Sequence, residues 1–457
     1  MLGHRVLEEL KGIVGDDWVV VGDVSSYLYD ETPPAVRPDA SRDVVVVKPG
    51  CVEEVSRVMA FANREKIPVF PRGGGTGLVG GCIPTASGII LSLERLNRIR
   101  VDSENLIAEV EAGATLRDLI EAVEKAGLFF PPHPGDEGAQ IGGLIACNAG
   151  GARAVKTGVM RNYVRGVEVV LPTGEVLRLG GGRLKDNVGY DLMNLIIGSE
   201  GTLGIITKAW IRLYPQMRYS ATILIPFDSR EDAFKLVPLI LREGVIPIAI
   251  EFFGRDLAEK TAEYLGLSWP STSGRYQLML ILAEQSEEAL LDSCEKLLKL
   301  CEEKFSAEPL LAETREEQGK ILKIRSEMYN VLKNDSIDTL DVAVPPASMV
   351  RIIGKVEEIE KKYGIHLPIV AHAGDGNLHI QIMRVEGWSM EDYERIQDEI
   401  YDEVVRLGGA ITGEHGIGYV KRKHLERYLD PRILKLMKAI KKLFDPNNIL
   451  NPGKVLP

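Results

Sequence analysis

Six glycines fall within the eleven residues Pro71-Arg72-Gly73-Gly74-Gly75-Thr76-Gly77-Leu78-Val79-Gly80-Gly81, and no other feature constrains the fold of this chain as strongly. The run reads as a glycine-rich loop fed by a short strand, Pro68 to Pro71, and its successive N–H groups can converge on one anion. Gly75-x-Gly77-x-x-Gly80 also satisfies the dinucleotide fingerprint, but that motif requires a helix to begin within it. Here Pro84 leads instead into the strand-like stretch Gly88 to Leu93, so a Rossmann NAD site is not expected. Two further loops share this texture: Gly135 to Gly151, with Ile141-Gly142-Gly143 and Asn148, and Ile197 to Ile206. Any one of them would serve as tight turns in a compact sheet. Three together suggest a long pyrophosphate-bearing cofactor lying along backbone.

A second constellation carries the chemistry. His372-Ala-Gly-Asp-Gly-Asn-Leu-His379 is followed, about one supersecondary unit later, by Gly413-Glu414-His415-Gly416, which places three of the seven histidines in two short stretches. Two imidazoles and a carboxylate, from His372, His379 and Glu414, suit a divalent ion such as Zn²⁺ with a position left open for substrate. His415, beside the carboxylate, is then the candidate base. Glycines at 374, 376, 413 and 416 let the backbone bend sharply around these residues. The pattern points to redox or hydrolytic chemistry on a small oxygenated substrate.

A chain of 457 residues exceeds one core, so two or three domains are expected. Val44 to Val47 and Ala108 to Glu111 read as strands, Val52 to Lys66 and Leu116 to Ala126 as helices, and Val164 to Arg178 as a hairpin. Near Tyr214-Pro215 the texture changes to longer charged helices, such as Ser286 to Lys304 and Arg351 to Lys362. Strands at Ala221 to Ile225, Gln277 to Ala283, Thr339 to Val344 and His379 to Met383 alternate with them. A last helix, Ile433 to Leu443, precedes Asp445-Pro446. A net charge of −11 argues against a general nucleic-acid surface. No run of apolar residues is long enough to span a membrane, and Arg5, Glu8 and Glu9 interrupt the Met1 to Leu10 stretch where a signal peptide needs apolar sequence. A cytoplasmic protein is expected, or one held at a membrane only through a partner. The five scattered cysteines include no Cys-x-x-Cys, which disfavours an iron–sulfur cluster, and Cys294 and Cys301 fall on a helix facing a core.

In order, PRGGGTGLVGG, IGGLIACNAGG, KDNVGYD, IGSEGTLGIIT, HAGDGNLH, GEHGIG and DPNNILNPGK resemble the motifs of FAD-linked 2-hydroxyacid dehydrogenases. That family of the vanillyl-alcohol-oxidase superfamily includes D-lactate dehydrogenases of the cytochrome-linked type, the glycolate oxidase flavin subunit and D-2-hydroxyglutarate dehydrogenase. The resemblance, which runs from about residue 40 to 455, implies an α+β fold. Its parts are a PCMH-type FAD-binding domain of two α+β subdomains (1–215), an α+β cap domain with an antiparallel sheet (216–412) and a C-terminal segment returning to the flavin (413–457). It further implies noncovalent FAD, since residues 71–81 contain no histidine for a covalent link. Pro71, Arg72, Gly73, Gly74, Gly75, Thr76 and Gly77, with Gly142 and Gly143, would hold its pyrophosphate and ribityl region, and Gly135 and Asn148 are further expected cofactor contacts. Glu200, Gly201 and Ile206 would lie along the adenosine, and Asn451 near the flavin. His372, His379 and Glu414 would bind the metal, His415 would be the base, and Arg325 would clamp the substrate carboxylate. His133 departs from the family pattern and is open between a flavin contact and a buried polar residue. The implied activity is oxidation of a D-2-hydroxyacid (D-lactate, glycolate or 2-hydroxyglutarate) with electrons leaving to a cytochrome, an electron-transfer flavoprotein or an iron–sulfur subunit. Homo-oligomerisation stays open. The rival readings are a flavin-binding subunit with a vestigial site and a zinc hydrolase whose glycine loops are scaffold.

Overall fold

A computed structural model describes residues 3–305, 307–312 and 314–457, so Met1 and Leu2 of the N-terminal stretch read above lie outside it. The chain divides into two units. The first holds Met1–Ala149, Val159–Pro215 and Glu414–Pro457, and the second holds Gly150–Gly158 and Gln216–Gly413.

In the first unit, four successive valines at 44–47 form a strand paired in parallel with Gly88–Ser92, which pairs in parallel with Val69–Arg72. Such strands are apolar on both faces because both are covered. The helix Val52–Glu65 makes the crossover between the first and last of them, burying Val55, Val58, Met59 and Ala62 at helical spacing. It stops at Lys66, which takes a left-handed conformation with φ 55°. A second sheet is antiparallel throughout, in the order Ile99–Asp102, Ile107–Glu111, Ile205–Arg212, Val164–Val170, Val176–Gly180. Over it lies the helix Leu116–Lys125, opened by a capping box of Thr115 and Asp118. The glycine-rich segment 135–151 is not loop alone, since Ile141–Ala146 is a short helix that includes Gly142 and Gly143. Burial of Ile141, Leu144 and Ile145 among Leu116, Leu119 and Val164 overrides the low helix propensity of two glycines. After the helix Pro431–Phe444 the tail joins the first sheet, with the Val69 amide donating to Ile449 O and Asn451 N to Val69 O, each at 2.7 Å.

The second unit is built on a seven-stranded antiparallel sheet. Its order is Leu310–Ala312, Tyr219–Phe227, Tyr276–Glu284, Ala249–Gly254, Ile369–His372, Asn377–Met383, Ser336–Ala343. On one face the helices Arg255–Tyr264 and Arg315–Leu332 pack Leu257, Ala258, Ile321, Ile324 and Met328 against Leu224, Phe253, Met279 and Val370. In the helix Glu287–Phe305, Cys301 is buried and Cys294 half-buried, and all five cysteines are free. Among the described residues no helix is long and apolar enough to cross a membrane.

Elsewhere in this unit the buried Arg230 forks onto Glu360 at 2.8 and 3.2 Å, and the Leu367 amide and His366 Nδ1 approach the same carboxylate. Burial alone would push the Glu360 carboxyl up, but the hydrogen bonds from His366 and Arg230 outweigh it and hold the group down at about 2. A folded pKa below the unfolded value near ~4.3 stabilises the fold above that value, and the contribution disappears as pH falls to about 2. Glu360→Gln should therefore cost about 3 kcal/mol at neutral pH, and the penalty should vanish in strong acid. Denaturant titrations of both proteins across that range check it, and a pH-independent difference counts against the pairing.

Candidate active site

The strand Val69–Arg72 ends where the glycine loop begins, and the next strand starts only at Gly88, so no helix opens within the fingerprint. Gly75 adopts φ +75°, and a Cβ on Gly74 would sit 2.8 Å from Gly138 O, so the two glycine segments meet backbone to backbone. The amides of residues Gly73 through Gly77 donate to no acceptor among the described residues. Gly143, in the first turn of Ile141–Ala146, is exposed, with open space where a Cβ would stand. A row of backbone amides without an acceptor among the described residues fits the pyrophosphate-bearing group that the sequence implies. Arg72 is buried beneath the turn, with Nη1 3.2 Å from Cys82 Sγ and Nη2 3.4 Å from Ser26 O, so it props the loop from below. Gly74→Val would wedge the two segments apart. FAD affinity should then fall by at least about ten-fold, the value of one charge-assisted amide contact, and flavin retention on dilution measures it.

The other expected cofactor residues are distributed around this loop within the first unit. Gly201 takes φ +67°, and a Cβ there would meet Pro71 Cγ at 2.9 Å. Asn451, almost fully buried, donates through Nδ2 to Gly81 O and Glu200 O, while its Oδ1 has no partner among the described residues. The Glu200 carboxylate accepts the amides of Ile417 and Gly418 at 2.8 and 2.7 Å, and its own amide donates to Ala146 O at 2.8 Å. Ile206 is a buried strand residue opposite Val169, Gly135 sits exposed at φ +74°, and Asn148 accepts the Arg161 amide. His133 is half-buried, with Nε2 3.4 Å from Glu137. Sequence reasoning missed Gln140, whose buried Oε1 lacks a partner among the described residues and lies 3.7 Å from where a Gly73 Cβ would be.

In the second unit, Ile369–His372 and Asn377–Met383 form a hairpin whose turn needs Gly376. That residue has φ +86°, and a Cβ would lie 1.9 Å from Val344 O. Pairing of His372 with Asn377 and of Val370 with His379 puts both histidines on one face, diagonally adjacent. Their rings cross edge to face at 5.1 Å, both are buried, and each offers a nitrogen within 4.8 Å of the other's. The same register fixes their acidic neighbours. Glu251 stands opposite His372, with its oxygens 2.8 and 3.0 Å from Nδ1, and Asp341 stands opposite His379, 3.7 Å from its Nδ1. The Glu251 carboxylate behind His372 is the usual support of a metal ligand, while Asp341 is an acidic neighbour of His379 at longer range, and the donor set fits a borderline divalent ion.

Arg325, on the helix Arg315–Leu332, reaches Glu251 at 2.5 Å, and its buried Nε has no hydrogen-bond partner among the described residues. Burial tends to raise the Glu251 carboxyl, but the charges of His372 and Arg325 outweigh it and hold the group below the usual range. Asp341 also accepts from Asn377 Nδ2, Thr412 Oγ1 and the Gly413 amide at 2.8, 2.8 and 3.0 Å, which anchors the second unit's last two residues. Glu414 is bonded to that anchored Gly413 and opens the final segment of the first unit. Beyond it, His415 Nε2 lies 3.7 Å from Glu414 Oε1.

Comparison with known proteins now gives these observations a class. Residues 44–180 match the FAD binding domain and 216–455 the FAD linked oxidases C-terminal domain, which together define an FAD-linked oxidoreductase. The chain is 44% identical to a D-lactate dehydrogenase of Archaeoglobus fulgidus over 94% of its own length and 95% of that protein's. It is 36% identical to glycolate oxidase subunit GlcD of Bacillus subtilis, covering 94% and 91%. The chain belongs to the FAD-linked 2-hydroxyacid dehydrogenase family. Its α+β fold matches the solved structure of p-cresol methylhydroxylase with substrate bound, at TM-score 0.77 and 19% identity over 99% of this chain and 96% of that one.

Proposed function

We propose that the protein oxidises a D-2-hydroxyacid of the lactate or glycolate type to the 2-oxoacid, with a divalent metal, zinc by its donor set, and passes the electrons to another protein. The observation that carries this reading is the buried His372–His379 pair beside an arginine with an unsatisfied Nε, in a chain with an FAD-type cradle. Relatives named D-lactate dehydrogenase and glycolate oxidase subunit support the substrate class. When bound, FAD supplies the two-electron acceptor and the metal a Lewis acid that lowers the pKa of the substrate hydroxyl.

The chain's own residues do the rest. His372, His379 and Glu414 bind the metal, and Arg325 binds the substrate carboxylate through the fork edge that Glu251 leaves open. His415 accepts the hydroxyl proton. The carbinol hydrogen leaves with its electron pair, so the substrate loses two electrons and two protons in all. The deciding experiment adds D-lactate anaerobically to the flavin-loaded protein, with and without prior chelation, and follows the oxidised-flavin absorbance. Bleaching in the untreated sample alone supports the reading. Bleaching in neither sample, with glycolate and D-2-hydroxyglutarate equally inert, would favour a flavin subunit without hydroxyacid activity.

A further inference from the structure

We infer that Glu251 is the positioning residue of this site, one buried carboxylate that holds both the metal ligand His372 and the substrate-binding Arg325. The inference rests on the metal and substrate roles proposed above. Glu251 has no exposed surface, and it occupies a central strand on the face that also carries Phe253 and Met279. An aliphatic residue would pack there without desolvating a charge, and the core formed by Ile321, Ile324 and Met328 owes nothing to the carboxylate. What the carboxylate does is hold two functional side chains at once.

Both oxygens face His372 Nδ1, at 2.8 and 3.0 Å, which fixes the ring's orientation and leaves Nε2 as its ligand nitrogen. Oε2 also takes one Arg325 Nη2 contact at 2.5 Å, so the guanidinium is held by one edge and Nε stays unsatisfied. A 2-hydroxyacid carries its hydroxyl and carboxylate on adjacent carbons. The ion that meets the hydroxyl and the arginine that meets the carboxylate must therefore keep one spacing. A single side chain anchoring both keeps that spacing, and the sheet register places it opposite His372.

The test is Glu251→Gln in the full-length, FAD-loaded protein. Zinc affinity is read by competition with a chromophoric chelator, and KM and kcat for D-lactate are read at saturating zinc. Zinc affinity should fall by about 10- to 100-fold, as for loss of a group supporting a metal ligand. KM at saturating zinc should rise at least about ten-fold, the value of one displaced charge-assisted contact. Arg325→Met should raise KM while moving zinc affinity by less than about three-fold, because the His372 support remains. If Glu251→Gln loses FAD or melts early, Glu251→Asp replaces it, since the shorter arm cannot keep both contacts, and wild-type values for both quantities in that variant overturn the inference. Wild-type zinc affinity in a folded Glu251→Gln protein overturns it and leaves the proposed function standing. A wild-type protein that binds no zinc overturns both.

Discussion

Replacing His415 by alanine is expected to leave FAD bound and to slow reduction of the flavin by D-lactate about 10²- to 10⁴-fold, the contribution of a positioned general base. The backbone beside it is held by other residues. Glu200 accepts the amides of Ile417 and Gly418, and Gly416 supplies the φ of +87° that turns the chain just before them. The proposed cofactor cradle lies in other residues, chiefly the amides of 73–77, so flavin content should be unchanged. Anaerobic stopped-flow reduction gives the rate, and added imidazole should restore part of it by supplying the missing base in solution. Near-normal reduction without imidazole would remove His415 from the proton transfer and require a different acceptor for the hydroxyl proton.

How much of this was legible in the sequence depended on whether the signal was local. The strands Val44–Val47 and Gly88–Ser92 and the helix Val52–Glu65 were readable because apolar spacing and flanking turn residues lie within a few positions of each other. The histidine pair was readable because a hairpin keeps His372 and His379 seven residues apart in sequence and adjacent in space. Glu251 was not. It is separated by 121 residues from the histidine it supports, and it meets it only because the strand Ala249–Gly254 lies beside Ile369–His372 in an order that does not follow the chain. Asp341 was hidden for the same reason, as a buried acid in the stretch Thr339 to Val344, which was read only as a strand. The helix at Ile141–Ala146 was masked by its own glycines, because the packing of Ile141 and Ile145 that stabilises it comes from distant strands. The placement of Gly150–Gly158 in the second unit had no local signal either. That segment is tied there by contacts such as Lys156 with the Glu284 carboxylate and Ala283 O, each 2.9 Å away.

The largest loss is expected from the metal ligands themselves. His379→Ala should lower zinc affinity by more than about 10²-fold, beyond the range for a supporting residue, and D-lactate turnover at limiting zinc should fall with it. The fold should survive, because Asp341 keeps the Asn377, Thr412 and Gly413 donors when the imidazole is removed and is not left as an unpaired buried charge. His372→Ala is the sharper comparison. It removes one of the two partners of Glu251, which retains only Arg325, so both zinc affinity and the setting of the arginine should change and KM at saturating zinc should rise in this variant. In His379→Ala, with Glu251, His372 and Arg325 untouched, excess zinc should recover rate with KM close to wild type. Metal analysis after dialysis, flavin absorbance and steady-state kinetics across a zinc series separate the two cases. If neither substitution alters zinc retention, the imidazole pair is not a metal site, and it would then form a polar core of the sheet with Glu251 and Asp341.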